Sequence, residues 1–203
     1  MAKAKGNVYI GDGKMGNLKG SGEQYLVTSF NDVDEWHLER YRWSKQFVKD
    51  KTVLDCACGC GYGSSILAEA AEEVHGYDKD AIAISVANEY WSNPNTFYKQ
   101  FDLVNDAIDR KFDVIVSLET LEHLPTPIKE TIEAFKNALE DKGVLCVSHP
   151  IEDRNKNVFH LHRRIEKDFV IEFMRKLGFT ILFNAEQCRN ASHRFRYIVG
   201  QLI

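Results

Sequence analysis

Along this chain, short apolar runs alternate with stretches whose large side chains recur every three or four positions. Trp36, Arg40, Trp43 and Phe47 recur at helical spacing and predict a helix from Val33 to Lys49, with Asp32 or Asp34 to cap it. The run Thr52 to Asp55 reads as a buried strand that ends in a glycine loop. A helix over Ser64 to Glu73, a strand over Val74 to Asp78 and a helix over Asp80 to Trp91 follow, and Pro94 stops the last of these. Thr96 to Phe101 and the strongly apolar Phe112 to Leu118 are two more strands. A helix over Thr126 to Leu139 ends at Lys142-Gly143, and a strand over Val144 to Ser148 comes next. The pattern closes with a helix over Glu166 to Leu177, stopped by Gly178, and strands over Phe179 to Phe183 and Phe195 to Val199. Strands apolar on both faces and alternating with helices predict a parallel sheet covered on both sides. No helix separates the last two strands, so they should pair antiparallel.

The loop after the first strand reads Asp55-Cys56-Ala57-Cys58-Gly59-Cys60-Gly61-Tyr62-Gly63-Ser64. It lies between a strand and a helix, where a parallel sheet opens its ligand crevice. A dinucleotide fingerprint would place a third glycine three positions after the second, but Gly63 lies two after Gly61. Asp55, four residues before Gly59, favours a ligand that carries an ammonium group and no pyrophosphate. Asp78 ends the second strand, where a carboxylate can accept both hydroxyls of a ribose. Asp102, after the third strand, is placed to reach an adenine amino group. Acidic residues ending three successive strands have a plain alternative, that of capping the turns and helices that follow.

Composition narrows the class. The chain has 203 residues, 44% hydrophobic and 28% charged, enough for one sizeable core. One domain over 1–203 is expected, with 1–30 as a glycine-rich, flexible or lid-like arm. The net charge of −4 disfavours broad, nonspecific grip on nucleic acid. No apolar run reaches transmembrane length, and the opening stretch MAKAKGNVYIGDGK lacks the apolar core of a secretory signal. Five cysteines, three of them at alternate positions 56, 58 and 60, suit a reducing compartment better than a disulfide framework, and a cytoplasmic location is expected. No second cysteine pair follows at a zinc-finger spacing.

The stretches VLDCACGCGYGS, GYDKD, FDVIVSLETLEHL and GVLCVSHP resemble class I S-adenosylmethionine-dependent methyltransferases, over about Arg40 to Ile203. Within that family the chain is similar to small bacterial or phage enzymes with an N-terminal Gly-Glu segment, an Arg-Tyr helix and an Asn-x-Phe-His segment. Here these are Gly22-Glu23-Gln24-Tyr25, Arg40-Tyr41 and Asn157-Val158-Phe159-His160. The resemblance implies a Rossmann-like, doubly wound α/β sheet of about seven strands, mostly parallel with an antiparallel last strand and helices on both faces. It also implies S-adenosyl-L-methionine as donor. Ala57, Gly59 and Gly61 would line the methionine part, Asp55 would order the loop and the amino group, Asp78 and Lys79 would flank the ribose, and Asp102 and Leu103 the adenine. Glu119, at the end of the fourth strand, would face the donor's amino group.

The acceptor side rests on Glu119-Thr120-Leu121-Glu122-His123. If residues 119–124 form a helical turn, Glu119, Glu122 and His123 share one face at i, i+3 and i+4. Two carboxylates and an imidazole suit a divalent cation such as Mg²⁺ or Mn²⁺. This Glu-x-x-Glu-His pattern resembles the metal-assisted O-methyltransferases of ubiquinone biosynthesis and the small-RNA 3′-terminal 2′-O-methyltransferases. The latter family implies a further histidine after the fifth strand; His149, His160 and His162 are candidates, and His160 aligns best, nine residues before Phe169. The Trp-Thr-Arg expected before that phenylalanine is replaced by Ile165-Glu166-Lys167. Leu-Glu-His-Leu also occurs at this place in relatives that use no metal. There the histidine packs or hydrogen-bonds locally; without a metal in this chain, His123, His149 or His160 would serve as a general base, with Glu122 a further catalytic candidate. His37 and His75 lie off this face. Glu152, Asp153, Arg154, Asn155 and Lys156 form a polar loop that would sit over the donor methyl. The expected reaction is O-methylation of a small or sugar-like acceptor. Methylation of an RNA terminus, to which the basic Arg189 to Arg196 segment would contribute, is the rival. A donor-binding module that acts only with a partner protein is a third reading.

Overall fold

A computed structural model describes residues 26–151, 160–162, 165–190 and 193–203. Seven strands form one sheet: β1 (Thr52–Cys56), β2 (Glu73–Asp78), β3 (Thr96–Gln100), β4 (Phe112–Ser117), β5 (Leu139–Pro150), β6 (Phe179–Asn190) and β7 (His193–Leu202). Their order is β3-β2-β1-β4-β5-β7-β6. The first five pair in parallel, and β7 runs antiparallel between β5 and β6. The strand order reverses between β1 and β4, so the crevice for a ligand opens beyond their C-terminal ends.

Strand alternation divides the core. Val53, Val114, Val116, Cys146 and Tyr197 face α1 (Glu35–Lys45) and α2 (Tyr62–Ala68), which contribute Leu38, Tyr41, Ile66 and Leu67. Leu54, Ile115, Leu145, Val147 and Ile198 face α4 (Ile128–Asn137) and α5 (Phe169–Lys176) on the other side. The remaining helix, α3 (Ala81–Tyr90), carries Ala83 and Val86 against Cys60, Leu26 and Val27.

Element bounds differ from the sequence reading for local reasons. α1 starts at Glu35 because Phe30–Asp32 forms its own 3-10 turn, with Ser29 Oγ accepting the Asn31 N–H at 3.3 Å. α2 starts two residues early because Gly61, at φ 91°, turns the chain directly into it. Pro127 disfavours helical geometry at Thr126 and delays α4 to Ile128. Residues 139–143 join β5 instead of α4, with a register shift between Phe112 and Val114. β6 outruns its apolar pattern because Glu186 lies opposite Arg196 and accepts from both Arg194 and Arg196 across the hairpin. Gly22 to Tyr25, the glycine-rich arm up to position 25 and the polar 152–156 loop lie outside the described residues, as do Asn157, Val158 and Phe159.

Candidate active site

The loop after β1 is built by backbone torsions that side chains rarely adopt. Ala57 (φ 63°), Gly59 (φ 57°) and Gly61 (φ 91°) all lie in the left-handed region. A Cβ on Gly59 would meet nothing within 4 Å, so this glycine borders open space where a ligand can approach the backbone. Gly61 is glycine for a different reason: a Cβ there would lie 2.7 Å from Ala87 Cβ and 2.9 Å from Tyr98 Oη.

Carboxylates hold the loop from beneath. Asp78 Oδ2 accepts the Gly59 N–H and its Oδ1 accepts the Asp80 N–H, each at 2.9 Å. Each of its carboxylate oxygens thus holds one backbone N–H at the end of β2. Lys79 beside it is exposed, and its carbonyl accepts from Gln100 Nε2. Asp55 is fully buried and accepts the Ser64 hydroxyl at 2.7 Å and the Tyr41 hydroxyl at 3.3 Å. Burial pushes its carboxyl up to about 7; the Ser64 and Tyr41 hydrogen bonds oppose the rise and the Asp78 charge adds to it. Asp55 therefore orders the loop from inside, joining α1 to α2. Asp102 organises the turn after β3: Oδ1 accepts the Val104 N–H at 3.0 Å and Oδ2 the Asn105 Nδ2 at 2.7 Å. Leu103 packs against the core beside it.

Beyond β4 the chain departs from the expected helical turn. Glu119 takes φ 53°, and only Leu121–His123 winds into a 3-10 turn. This separates Glu119 from Glu122 and His123. The Glu119 carboxylate pairs with Arg40 of α1, and its N–H donates to Ser148 Oγ at 3.0 Å. Glu122 and His123 instead meet His160, with one ligand atom from each residue all within 4.8 Å of one another. The Glu122 carbonyl brings them together by accepting the N–H groups of Leu161 at 2.7 Å and His162 at 3.0 Å. His162 Nε2 donates to the Thr126 carbonyl at 3.0 Å and fastens the same strap. The ring centroids of His123 and His160 stand 4.8 Å apart, edge to face.

The three candidate histidines after β5 thus have different places. His160 joins the cluster, and His162 anchors the strap. His149 is buried in β5 with Nδ1 against the Pro150 carbonyl at 3.0 Å. Burial pulls its imidazole down to about 4, the carbonyl opposing and Arg196 adding. Among the described residues, Glu122, His123 and His160 are the one group of three potential ligands this close. The cysteine triplet makes no such group: Cys56, Cys58 and Cys60 are buried, and Cys60 Sγ accepts the Val27 N–H at 3.4 Å.

The sequence shows Tyr41 only as part of a motif of resemblance, and Arg40 as that and as one of the residues at helical spacing. Their partners, Glu119 and Asp55, end the two strands that flank the crevice.

Residues 34–194 match the methyltransferase domain family. The chain belongs to the class I S-adenosylmethionine-dependent methyltransferases. A ubiquinone biosynthesis O-methyltransferase of Glaesserella parasuis is 34% identical over 118 residues, 50% of this chain and 49% of that protein. The chain therefore matches about half the length of that relative. The N-methyltransferase NodS of Bradyrhizobium japonicum, in complex with S-adenosyl-L-homocysteine, has the same fold with TM-score 0.68 at 19% identity, covering 83% of this chain and 86% of that one. Magnesium protoporphyrin IX methyltransferase of Synechocystis, with bound SAH, gives TM-score 0.70 at 17% identity over 95% of this chain and 90% of that one. Within this methyltransferase domain, no described helix is long and apolar enough to cross a membrane.

Proposed function

We propose that this methyltransferase transfers a methyl group from S-adenosyl-L-methionine to a hydroxyl of a small, sugar-like or phenolic acceptor, assisted by Mg²⁺ or Mn²⁺ at Glu122, His123 and His160. The observation that carries the reading is the convergence of those three side chains beyond the end of β4, the strand beside β1 at the point where the strand order reverses. The similarity to ubiquinone biosynthesis O-methyltransferases supports oxygen as the acceptor atom.

The open space at Gly59 fits a ligand lying against the loop backbone. Ala57, Gly59 and Gly61 shape that floor, Asp78 receives ribose hydroxyls, Asp102 and Leu103 border the adenine end, and Glu119 receives the ammonium group. When bound, the donor supplies an electrophilic methyl group. The protein's task is alignment and exclusion of water. A carboxylate and two imidazoles form a donor set that suits a divalent ion and leaves coordination positions open. When bound, such an ion supplies Lewis acidity that lowers the cost of ionising a hydroxyl. Without an ion, His123 or His160 would accept that proton instead.

An RNA terminus is the less favoured acceptor. Arg194 and Arg196, two of the three arginines that make the 189–196 segment basic, are paired with Glu186, and Arg196 also with Asp168 at 2.9 Å. The reading is tested by following S-adenosyl-L-homocysteine release with catechols, sugars and short RNA as acceptors. Turnover with a hydroxylated small molecule and none with RNA is the expected result. Turnover with RNA alone, or with amines alone, would overturn it. Release only in the presence of another protein would instead favour the reading in which this domain works through a partner.

A further inference from the structure

α1 reaches both walls of the crevice with consecutive residues. Tyr41 donates its hydroxyl to Asp55 at the end of β1, and Arg40 pairs with Glu119 just beyond β4. Arg40 is 1% exposed, so it touches no ligand itself. Its guanidinium packs against the rings of Trp36 (4.7 Å) and Phe195 (4.8 Å), which also touch each other, and Nη1 donates to Gln187 Oε1 of β6 at 3.1 Å. Burial lowers its pKa only to about 10, so it stays cationic at neutral pH. A buried cation, held also by Gln187, thus pairs with Glu119.

Glu119 needs such a partner. Its φ of 53° is a backbone state that glycine adopts freely and glutamate rarely does. Strained positions persist where surrounding contacts over-determine them. Here the contacts are Ser148 Oγ on the N–H and Arg40 on the carboxylate. Glu119 remains 22% exposed, with Oε2 3.9 Å from His37 Nδ1, so one side of the carboxylate is still open to a ligand.

We propose that Arg40 is the positioning residue for donor binding: it fixes the Glu119 carboxylate toward the crevice, and through it α1 sets affinity for the donor's amino-acid end. This rests on the donor reading above. The test is calorimetric titration of S-adenosyl-L-homocysteine into wild type, Glu119→Gln, Arg40→Met, Arg40→Lys and the Glu119→Gln/Arg40→Met double variant, with a thermal melt of each. Glu119→Gln should weaken binding about ten- to hundredfold, the usual cost of a lost charged hydrogen bond. Arg40→Met should weaken it comparably, and the double variant no further than the weaker single one, because both changes act through one carboxylate. Arg40→Lys keeps the charge without the second arm to Gln187 and should recover part of the affinity. In turnover, KM for the donor should rise while kcat changes little. Where Arg40→Met does not fold, Arg40→Lys decides: weakened binding at a near-native melting temperature supports the proposal. Wild-type affinity in folded Arg40 variants, or losses that multiply in the double variant, would overturn it. Absence of binding by wild type would reject the donor reading itself.

Discussion

The Gly59 N–H donates to Asp78 Oδ2 at 2.9 Å, so the loop that ends β1 hangs from the carboxylate that ends β2. Asp78 is 3% exposed and holds the loop by itself, in addition to the ribose role proposed for it. Asp78→Ala should therefore lower S-adenosyl-L-homocysteine affinity by about ten- to hundredfold. Asp78→Asn should do less damage to the loop, since its amide oxygen can still accept one backbone N–H. A calorimetric titration of the three proteins separates the roles. Equal affinity in Asp78→Ala and wild type would remove Asp78 from the donor site.

Gly63 sets the distance between α1 and α2. A Cβ there would fall 2.0 to 2.4 Å from atoms of the Tyr41 ring. Gly63→Ala should push the ring away and cost about 1–3 kcal/mol, as overpacking does in a tight core. It should also break the Tyr41–Asp55 hydrogen bond. Tyr41→Phe removes only the hydroxyl and should cost about 1 kcal/mol. Denaturant melts should rank wild type above Tyr41→Phe and Tyr41→Phe above Gly63→Ala. A Gly63→Ala protein as stable as wild type would show that the helices separate freely.

Two buried groups make opposite contributions to stability in acid. Burial raises Asp55 from 3.8 to about 7, so the native state holds that proton more tightly than the unfolded chain. Its contribution is full below the unfolded value and is lost as pH rises through about 7. Burial lowers His149 from 6.5 to about 4, so its contribution is full above 6.5 and is lost as pH falls toward 4. In wild type the two partly cancel. Asp55→Asn should make the melting temperature fall more steeply on acidification from 6.5 toward 4. His149→Gln should leave a melting temperature that rises as pH drops below 7. Parallel profiles for wild type and Asp55→Asn would show that Asp55 is ionised throughout.

The parallel sheet and the glycine loop were legible because their signals are local. Apolar runs such as Phe112 to Leu118 mark strands, and Gly59 and Gly61 mark a turn. The site beyond β4 was read less well, because the i, i+3, i+4 argument assumed helical torsions from Glu119 onward. The φ of 53° at Glu119 breaks that periodicity, and the ion pair with Arg40, 79 positions away in the chain, shows where its carboxylate goes instead. No spacing rule announces a contact between α1 and the end of β4. The choice of His160 over His149 and His162 came from family spacing. Its physical basis is the Glu122 carbonyl, which pins Leu161 and His162 and so brings His160 beside His123.

That pinning makes the metal reading testable apart from the donor site. Glu122, His123 and His160 offer one carboxylate and two imidazoles, while Glu119 is turned to Arg40. Imidazole nitrogen suits Mn²⁺ better than Mg²⁺, which prefers an all-oxygen shell. Dialysis against a chelator should abolish turnover, and Mn²⁺ should restore it at lower concentration than Mg²⁺. Glu122→Ala and His160→Ala should each lower metal occupancy, measured by elemental analysis after gel filtration. Loss of outer-shell partners alone commonly costs about 10–100-fold, so loss of a direct ligand should cost no less. S-adenosyl-L-homocysteine affinity should stay near wild type in both, because neither side chain is assigned to the donor. Glu119→Gln should do the reverse, weakening donor binding while metal occupancy persists. Full activity in chelator would end the metal reading and leave a histidine as the base. The rate should then climb with pH through an imidazole ionisation, and His123→Ala or His160→Ala should flatten that climb.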